Sequence, residues 1–379
     1  MVYYVKQGKV PHTRHTYDLR EKIPREELFG EESFEGSYSL LYHKNEPTRI
    51  QSIREEKKKL PDYEIAKMHK LINTNKIERK GDFISSRTPL FMNDVLIISV
   101  SRPSREMDYI FRHGTRDQLI FVHKGEGVLR SLLGDIEYGE GDYIYIPKGT
   151  SYYIEYGSAT DFLLIESRDN IGLPQRYLNR YGQIKEGAPY YSRDIRHPVL
   201  GGVEHEKRNY KVRVDFDDRF VVENRDYHPF DLEGWDGYHF PFAINIRDMM
   251  PIVGKIHQPP PVHETFTAKS FMVGTFLPRK FDFHERAIPI SYYHSNVDSD
   301  EILYYSSGNF MSRKGVREGS ITLHVRGMIH GPQPGTIENA IGKGGTDETA
   351  VMVESYVPLG ITGFAGKLED KDYMKSWYL

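Results

Sequence analysis

Two stretches of this chain repeat one spacing of histidine, polar or acidic residue and glycine. In the second, His294-x-Asn296 is followed by four residues, Glu301, six residues and Gly308. In the first, His113-x-Thr115 is followed by two residues, Gln118, six residues and Gly125. Each is completed by a glycine-led segment. Gly319-x5-Val325-x-Gly327-x2-His330 matches Gly141-x5-Pro147-x-Gly149-x2-Tyr152. A unit written twice, with turn formers at fixed places, asks for two similar compact units built from short elements. The apolar runs agree. Val95–Val100, Tyr143–Ile146, Phe162–Ile165, Ile321–Val325 and Val351–Val357 are short and bounded by Gly, Pro, Asn or Asp, which reads as strand. Helical signal is sparse: 61–75 offers Ile65, Met68, Leu71 and Ile72 on one side of a possible helix. The charge run 54–59 reads as solvated surface. The 27 tyrosines fit sheet faces and subunit contacts. The expected class is all-β, as packed double sheets.

Only the second copy keeps a full set of metal-type donors. His294, Glu301 and His330 are two imidazoles and a carboxylate, the ligand set of a non-haem Fe(II) oxygenase, which leaves open positions on the metal. The first copy has Gln118 and Tyr152 at the matching places, poor ligands for a hard cation. It is expected to be structural, with His113 a hydrogen-bonded histidine. With no cysteine in the chain, disulfides and thiolate metal sites are excluded. Strand parity adds a condition. Residues seven apart on a regular strand face opposite ways, so a turn in 295–299 must reset the alternation between His294 and Glu301. Asp300 is the rival ligand; Glu301 is preferred because its interval to Gly308 matches the repeat. His324 alternates with Leu323 and Val325 and so can share a cavity with His330. It reads either as an acid/base near the metal or as a hydrogen-bonded strand histidine. In His257-Gln-Pro-Pro-Pro-Val-His263 a stiff positioning loop is favoured over a second metal site. A net charge of −3 argues against a nucleic-acid partner, and no apolar run reaches the length of a membrane helix. A cytoplasmic protein is expected.

The paired motifs resemble those of a cupin barrel, so the resemblance implies a double cupin of jelly-roll barrels with few short helices. It divides the chain into 1–235, an N-terminal β domain with a degenerate cupin at about 106–165, and 236–379, the cupin carrying the iron site. A wider resemblance follows from Pro229–Tyr238, His257–His263, His294–Glu301, Thr322-Leu-His324, Ile329-His-Gly-Pro332, Glu27-Leu-Phe-Gly30 and Ser39–His43. These stretches resemble the homogentisate 1,2-dioxygenase family, most closely its shorter bacterial members. The resemblance implies an Fe(II) enzyme that opens the homogentisate ring with O₂ to give maleylacetoacetate in tyrosine and phenylalanine breakdown. It implies metal ligands His294, Glu301 and His330, His324 near a small aromatic acid, and a homo-oligomer. Where longer members have Trp-His-Gly, this chain has Trp235-Asp236-Gly237, so Asp236 or His239 would replace a proposed acid/base. Phe310 stands near the place of a substrate-binding tyrosine. Candidates to bind the substrate acid are Tyr304, Tyr305, Asn309 and Arg313. Two alternatives stay open: a related dioxygenase acting on gentisate or another phenolic acid, and a non-catalytic bicupin that binds a metal or ligand.

Overall fold

A computed structural model describes residues 3–17, 23–201, 208–310 and 315–378. The described residues are mainly β, with two α-helices among them of five residues each, Thr336–Ala340 and Gly363–Lys367. No helix of the described residues is long and apolar enough to cross a membrane.

The N-terminal unit is a sandwich of a nine-stranded and a seven-stranded sheet. Central strands of the larger sheet, Asp117–Lys124, Asp142–Ile146 and Asp161–Ser167, read as almost unbroken apolar runs because both their faces are buried. One face, with Ile120, Val122, Ile144, Phe162 and Leu164, packs on Phe111, Leu129, Tyr152 and Ile154 of the smaller sheet. The other, with Leu119, Phe121, Tyr143, Leu163 and Ile165, joins a second core shared with the C-terminal half.

That half is built on a six-stranded sheet in which Asp300–Ser307 lies between Thr349–Ser355 and Ser320–His324. Alternation divides its side chains. Ile302, Tyr304, Ile321, Leu323, Val351 and Val353 turn to the shared core. Full burial of one such aliphatic side chain is worth roughly 1.5–3 kcal/mol, so the register is strongly held. Glu301, Leu303, Tyr305, Thr322 and His324 are left on the opposite face. Facing them is irregular chain with one two-stranded sheet, Arg279–Lys280 with Gly345–Thr346.

The two halves interlock. Lys70–Asn73 is the edge strand of the six-stranded sheet, and Tyr63–Ile65 pairs with Gly360–Thr362 at the end of the nine-stranded one. A domain boundary at 235/236 is therefore a proposal about folding units that exchange strands. The helix expected over 61–75 is replaced by these two strands and a 3-10 turn at Thr74–Lys76. Ile65 and Met68 stay about half exposed while Leu71 and Ile72 are buried, so no single apolar face exists for a helix to bury. The charged run lies largely in edge strand Ser52–Lys57, whose exposed charges discourage further strand addition.

Candidate metal centre

Glu301 stands at the start of its strand, directly opposite His324 on the neighbouring one. His294 lies before the strand, in an isolated bridge with His330 whose two N–H groups are exchanged at 2.9 Å each. The expected turn between His294 and Glu301 is present, and it is tied down. Asn296 donates to both carboxylate oxygens of Glu354 at 3.0 Å, Ser299 donates to one at 2.7 Å, and Gly327 N–H reaches Asn296 O at 2.8 Å. This anchorage fixes the backbone that carries His294.

The tautomers follow from the partners. Nδ1 of His294 lies 3.0 Å from Tyr292 O, and Nδ1 of His330 lies 2.9 Å from Met328 O. A carbonyl only accepts, so Nδ1 carries the proton in both rings and a neutral ring presents its Nε2 lone pair. Those Nε2 atoms each lie 3.9 Å from a Glu301 oxygen. Donor atoms of all three residues fall within 4.8 Å of one another. A cation with bonds of about 2.1 Å can bridge donors up to about 4.2 Å apart, so both acid–imidazole pairs are within its reach. Burial by itself raises a carboxyl, but the rings of His294, His324 and His330 outweigh it and hold Glu301 well below the usual carboxylate range. A buried acid faced by the Nε2 atoms of two oriented imidazoles is a donor set that could hold a divalent metal.

His324 supports this acid. Its Nδ1 lies 2.5 Å from Glu301 Oε1, its Nε2 lies 3.0 Å from Tyr373 OH, and its ring stacks on His330 at 4.8 Å. With a carboxylate at Nδ1, the neutral ring donates there and accepts from Tyr373. Both readings of His324 thus meet a residue whose two nitrogens are engaged. His69 sets its ring edge against His324 and His330, and Trp377 covers His69 from the C-terminal segment. Burial, and then the charge of Glu301, push Glu354 up to about 7. No local pattern announces His69, Tyr373, Trp377 or Glu354, because they reach the centre from distant parts of the chain.

A cavity of about 110 Å³ opens on His294 and Glu301, with Tyr305, Leu303, Tyr292 and Arg279 among its walls. A larger one of about 480 Å³ adjoins it through Ile290, Ser291 and Tyr292. The larger cavity holds a further histidine. His257 Nδ1 lies 3.0 Å from Asp282, its ring meets Tyr292 edge-on at 4.6 Å, and its buried Nε2 has no hydrogen-bond partner. The stiff loop of 257–263 is in part a 3-10 turn, Pro260–His263, which buries His263.

The remaining candidates are placed differently. Tyr305 shares the face of Glu301. Tyr304, one residue earlier, points to the shared core and bonds to His123, so it does not line the cavity. Asn309 is exposed, with its N–H on Asp347. Arg313 lies outside the described residues. Asp236 bonds to Tyr4 in the four-stranded sheet, and His239 packs on Phe29 beside Ser39; neither lines the cavity at the triad. Asp300 accepts from Arg326 N–H and Nε and from Leu359 N–H, so all its bonds are structural ones.

The matching place in the first unit is filled by a guanidinium. Arg87 reaches Glu166 at 2.6 Å and Tyr152 OH at 3.3 Å, while Gln118 donates to Glu166 at 3.1 Å and accepts from Tyr152 at 2.7 Å. Burial, then the charges of Arg87 and Lys58, hold His113 well below its ordinary value. The protein's own cation balances the buried acid there.

The family model for the homogentisate 1,2-dioxygenase N-terminal region matches residues 83–246. A candidate dioxygenase of Saccharolobus solfataricus is 44% identical over 384 residues, covering 100% of both chains. The chain belongs to one family with that dioxygenase. More distant relatives include the homogentisate 1,2-dioxygenases of Rhizobium etli, 25% identical over 71% of this chain, and Rhodopseudomonas palustris, 25% identical over 69%. The chain spans 64% and 61% of the length of those two relatives. Among solved structures, a cupin 2 conserved barrel domain protein from Leptotrichia buccalis aligns over 79% of this chain and 98% of its own, at 10% identity and a TM-score of 0.34.

Proposed function

We propose that this family member is an Fe(II)-dependent dioxygenase that opens the ring of homogentisate with O₂ to give maleylacetoacetate, in the cytoplasm and as a homo-oligomer. The observation that carries the reading is the His294–Glu301–His330 cluster, with both Nε2 atoms turned to one ionised acid. Fe(II), when bound, supplies open positions and redox chemistry suited to a phenol and O₂. The relatives named homogentisate 1,2-dioxygenase suggest the substrate.

The chain's own residues have separable tasks. His294 and His330 donate lone pairs, and Glu301 adds the one negative charge. His324 and Tyr373 hold the Glu301 carboxylate in position and so orient a ligand. Tyr305 and Leu303 give the cavity an apolar wall for an aromatic ring. His257, held by Asp282 with its second nitrogen unengaged, is the base placed to take a phenolic proton. That role passes to it from Asp236, in a strand of the four-stranded sheet, and His239, just after that strand.

The test is oxygen consumption by chain loaded anaerobically with Fe(II), offered homogentisate and gentisate in parallel, with the products identified. Uptake with homogentisate and a ring-opened product is expected. Uptake with gentisate alone would move the substrate assignment. No uptake by a chain that holds its iron would refute the oxygenase reading.

A further inference from the structure

We infer that Arg279 anchors the carboxylate of an acidic aromatic ligand in the cavity that His294 and Glu301 line. The inference rests on the oxygenase reading of that cavity and names how its substrate is held.

Arg279 is partly buried and faces the same space as the triad. One N–H donates to Leu277 O at 3.1 Å, and the guanidinium lies 5.6 Å from the centre of the Phe276 ring. It forms no ion pair with any described residue. Arginines with little exposed side chain do: Arg87 with Glu166, Arg102 with Asp161, Arg116 with Asp217, and Arg225 with Glu223. A guanidinium withdrawn from water without a counter-charge is costly. Burial lowers the pKa of Arg279, and the charges of Glu348, which lines the same cavity, and Asp282 oppose this without forming an ion pair with it. A direct ion-pair partner is then the ligand's to supply. A planar fork of N–H donors fits a carboxylate and holds its direction as well as its charge.

The mounting is rigid. Arg279 belongs to the short strand paired with Gly345–Thr346, and a Cβ at Gly345 would come within 2.6 Å of Arg279 O. The walls of the same cavity include Phe281, Ile290, Leu303 and Tyr305, which suit a ring joined to the acid. The cation thus takes the acid group of a ligand in the cavity that His294 and Glu301 also line.

The experiment uses the full chain, loaded with Fe(II) and kept without oxygen. Binding of phenylacetate and of its neutral amide is measured by calorimetry for wild type, Arg279→Gln and Arg279→Lys. Wild type should prefer the acid. Arg279→Gln should lose about 10–100-fold for the acid and little for the amide, at unchanged iron content, and Arg279→Lys should keep part of the preference. With oxygen and homogentisate, Arg279→Gln should raise KM more than it lowers kcat. The inference is overturned if wild type shows no preference for the acid, or if Arg279→Gln weakens acid and amide equally. An acid preference that depends on Arg279 in a chain that takes up no oxygen would sink the oxygenase reading and leave the anchor standing. Normal uptake with an unchanged KM in Arg279→Gln would do the reverse.

Discussion

Glu301 and Asp300 are adjacent acids, and replacing each by its amide should separate a metal ligand from a structural acid. Asp300 accepts three N–H bonds, from Arg326 N at 2.8 Å, Arg326 Nε at 3.1 Å and Leu359 N at 2.7 Å. An asparagine must turn its NH₂ toward at least one of those donors and loses the charge facing Arg326. Breaking a charge-assisted bond costs about 1.5–3 kcal/mol, so Asp300→Asn should destabilise the fold by roughly 2–4 kcal/mol in all. Its iron content should not change. Glu301→Gln removes the only charged donor of the triad and weakens the bond from His324. Loss of a mere outer partner costs 10–100-fold in metal affinity, so the loss here should exceed about 100-fold. The assay loads both variants with Fe(II) without oxygen, desalts them, and measures iron per chain, oxygen uptake and melting temperature. Glu301→Gln should lose iron and activity with modest loss of stability, and Asp300→Asn the opposite. Iron lost from Asp300→Asn but retained by Glu301→Gln would pass the ligand role to Asp300. Full iron and uptake in both would remove this cluster as the metal centre.

Other expectations test neighbouring parts of the argument. Gly331 has φ +133, and a Cβ there would lie 2.8 Å from Tyr292 O, the acceptor that orients His294. Gly331→Ala should therefore reduce bound iron, by metal analysis, in a chain whose circular dichroism is unchanged. Arg87→Met leaves Glu166 buried without its cation, and chemical denaturation should show a loss of about 3–5 kcal/mol with iron per chain unaltered. Burial alone would lower His43, but hydrogen bonds to Asp231 and Glu27 raise it from 6.5 to about 9. A raised folded-state pKa stabilises fully below about pH 6.5 and is lost as pH climbs through about 9. That shift amounts to at most about 3 kcal/mol, less screening at the partly exposed Glu27. Denaturation from pH 6 to 10 should show the loss in wild type and a flatter profile in His43→Asn. Tyr373→Phe removes the partner of His324 Nε2 and should lower kcat several-fold with iron retained; an unchanged kcat would deny His324 a positioning task.

Residue type and spacing alone determined much of this protein. Turn-bounded apolar runs at 95–100, 143–146 and 162–165 mark strands, because a sheet buried on both faces needs side chains of one kind throughout. The parity of His294 and Glu301 demanded a turn, and Asn296 and Ser299 hold it. The degenerate copy at Gln118 and Tyr152 pointed to a first unit without a metal set. The rest depended on tertiary structure. Which of Tyr304 and Tyr305 faces the cavity follows from the core that the six-stranded sheet shares with the N-terminal unit, which claims Ile302 and Tyr304. His69 and Trp377 meet at the triad from opposite ends of the sequence, and Arg87 answers Glu166 from 79 residues away. Pairings between residues so far apart leave no period or motif to read, because they arise only when sheets close and bury polar groups that must then find partners.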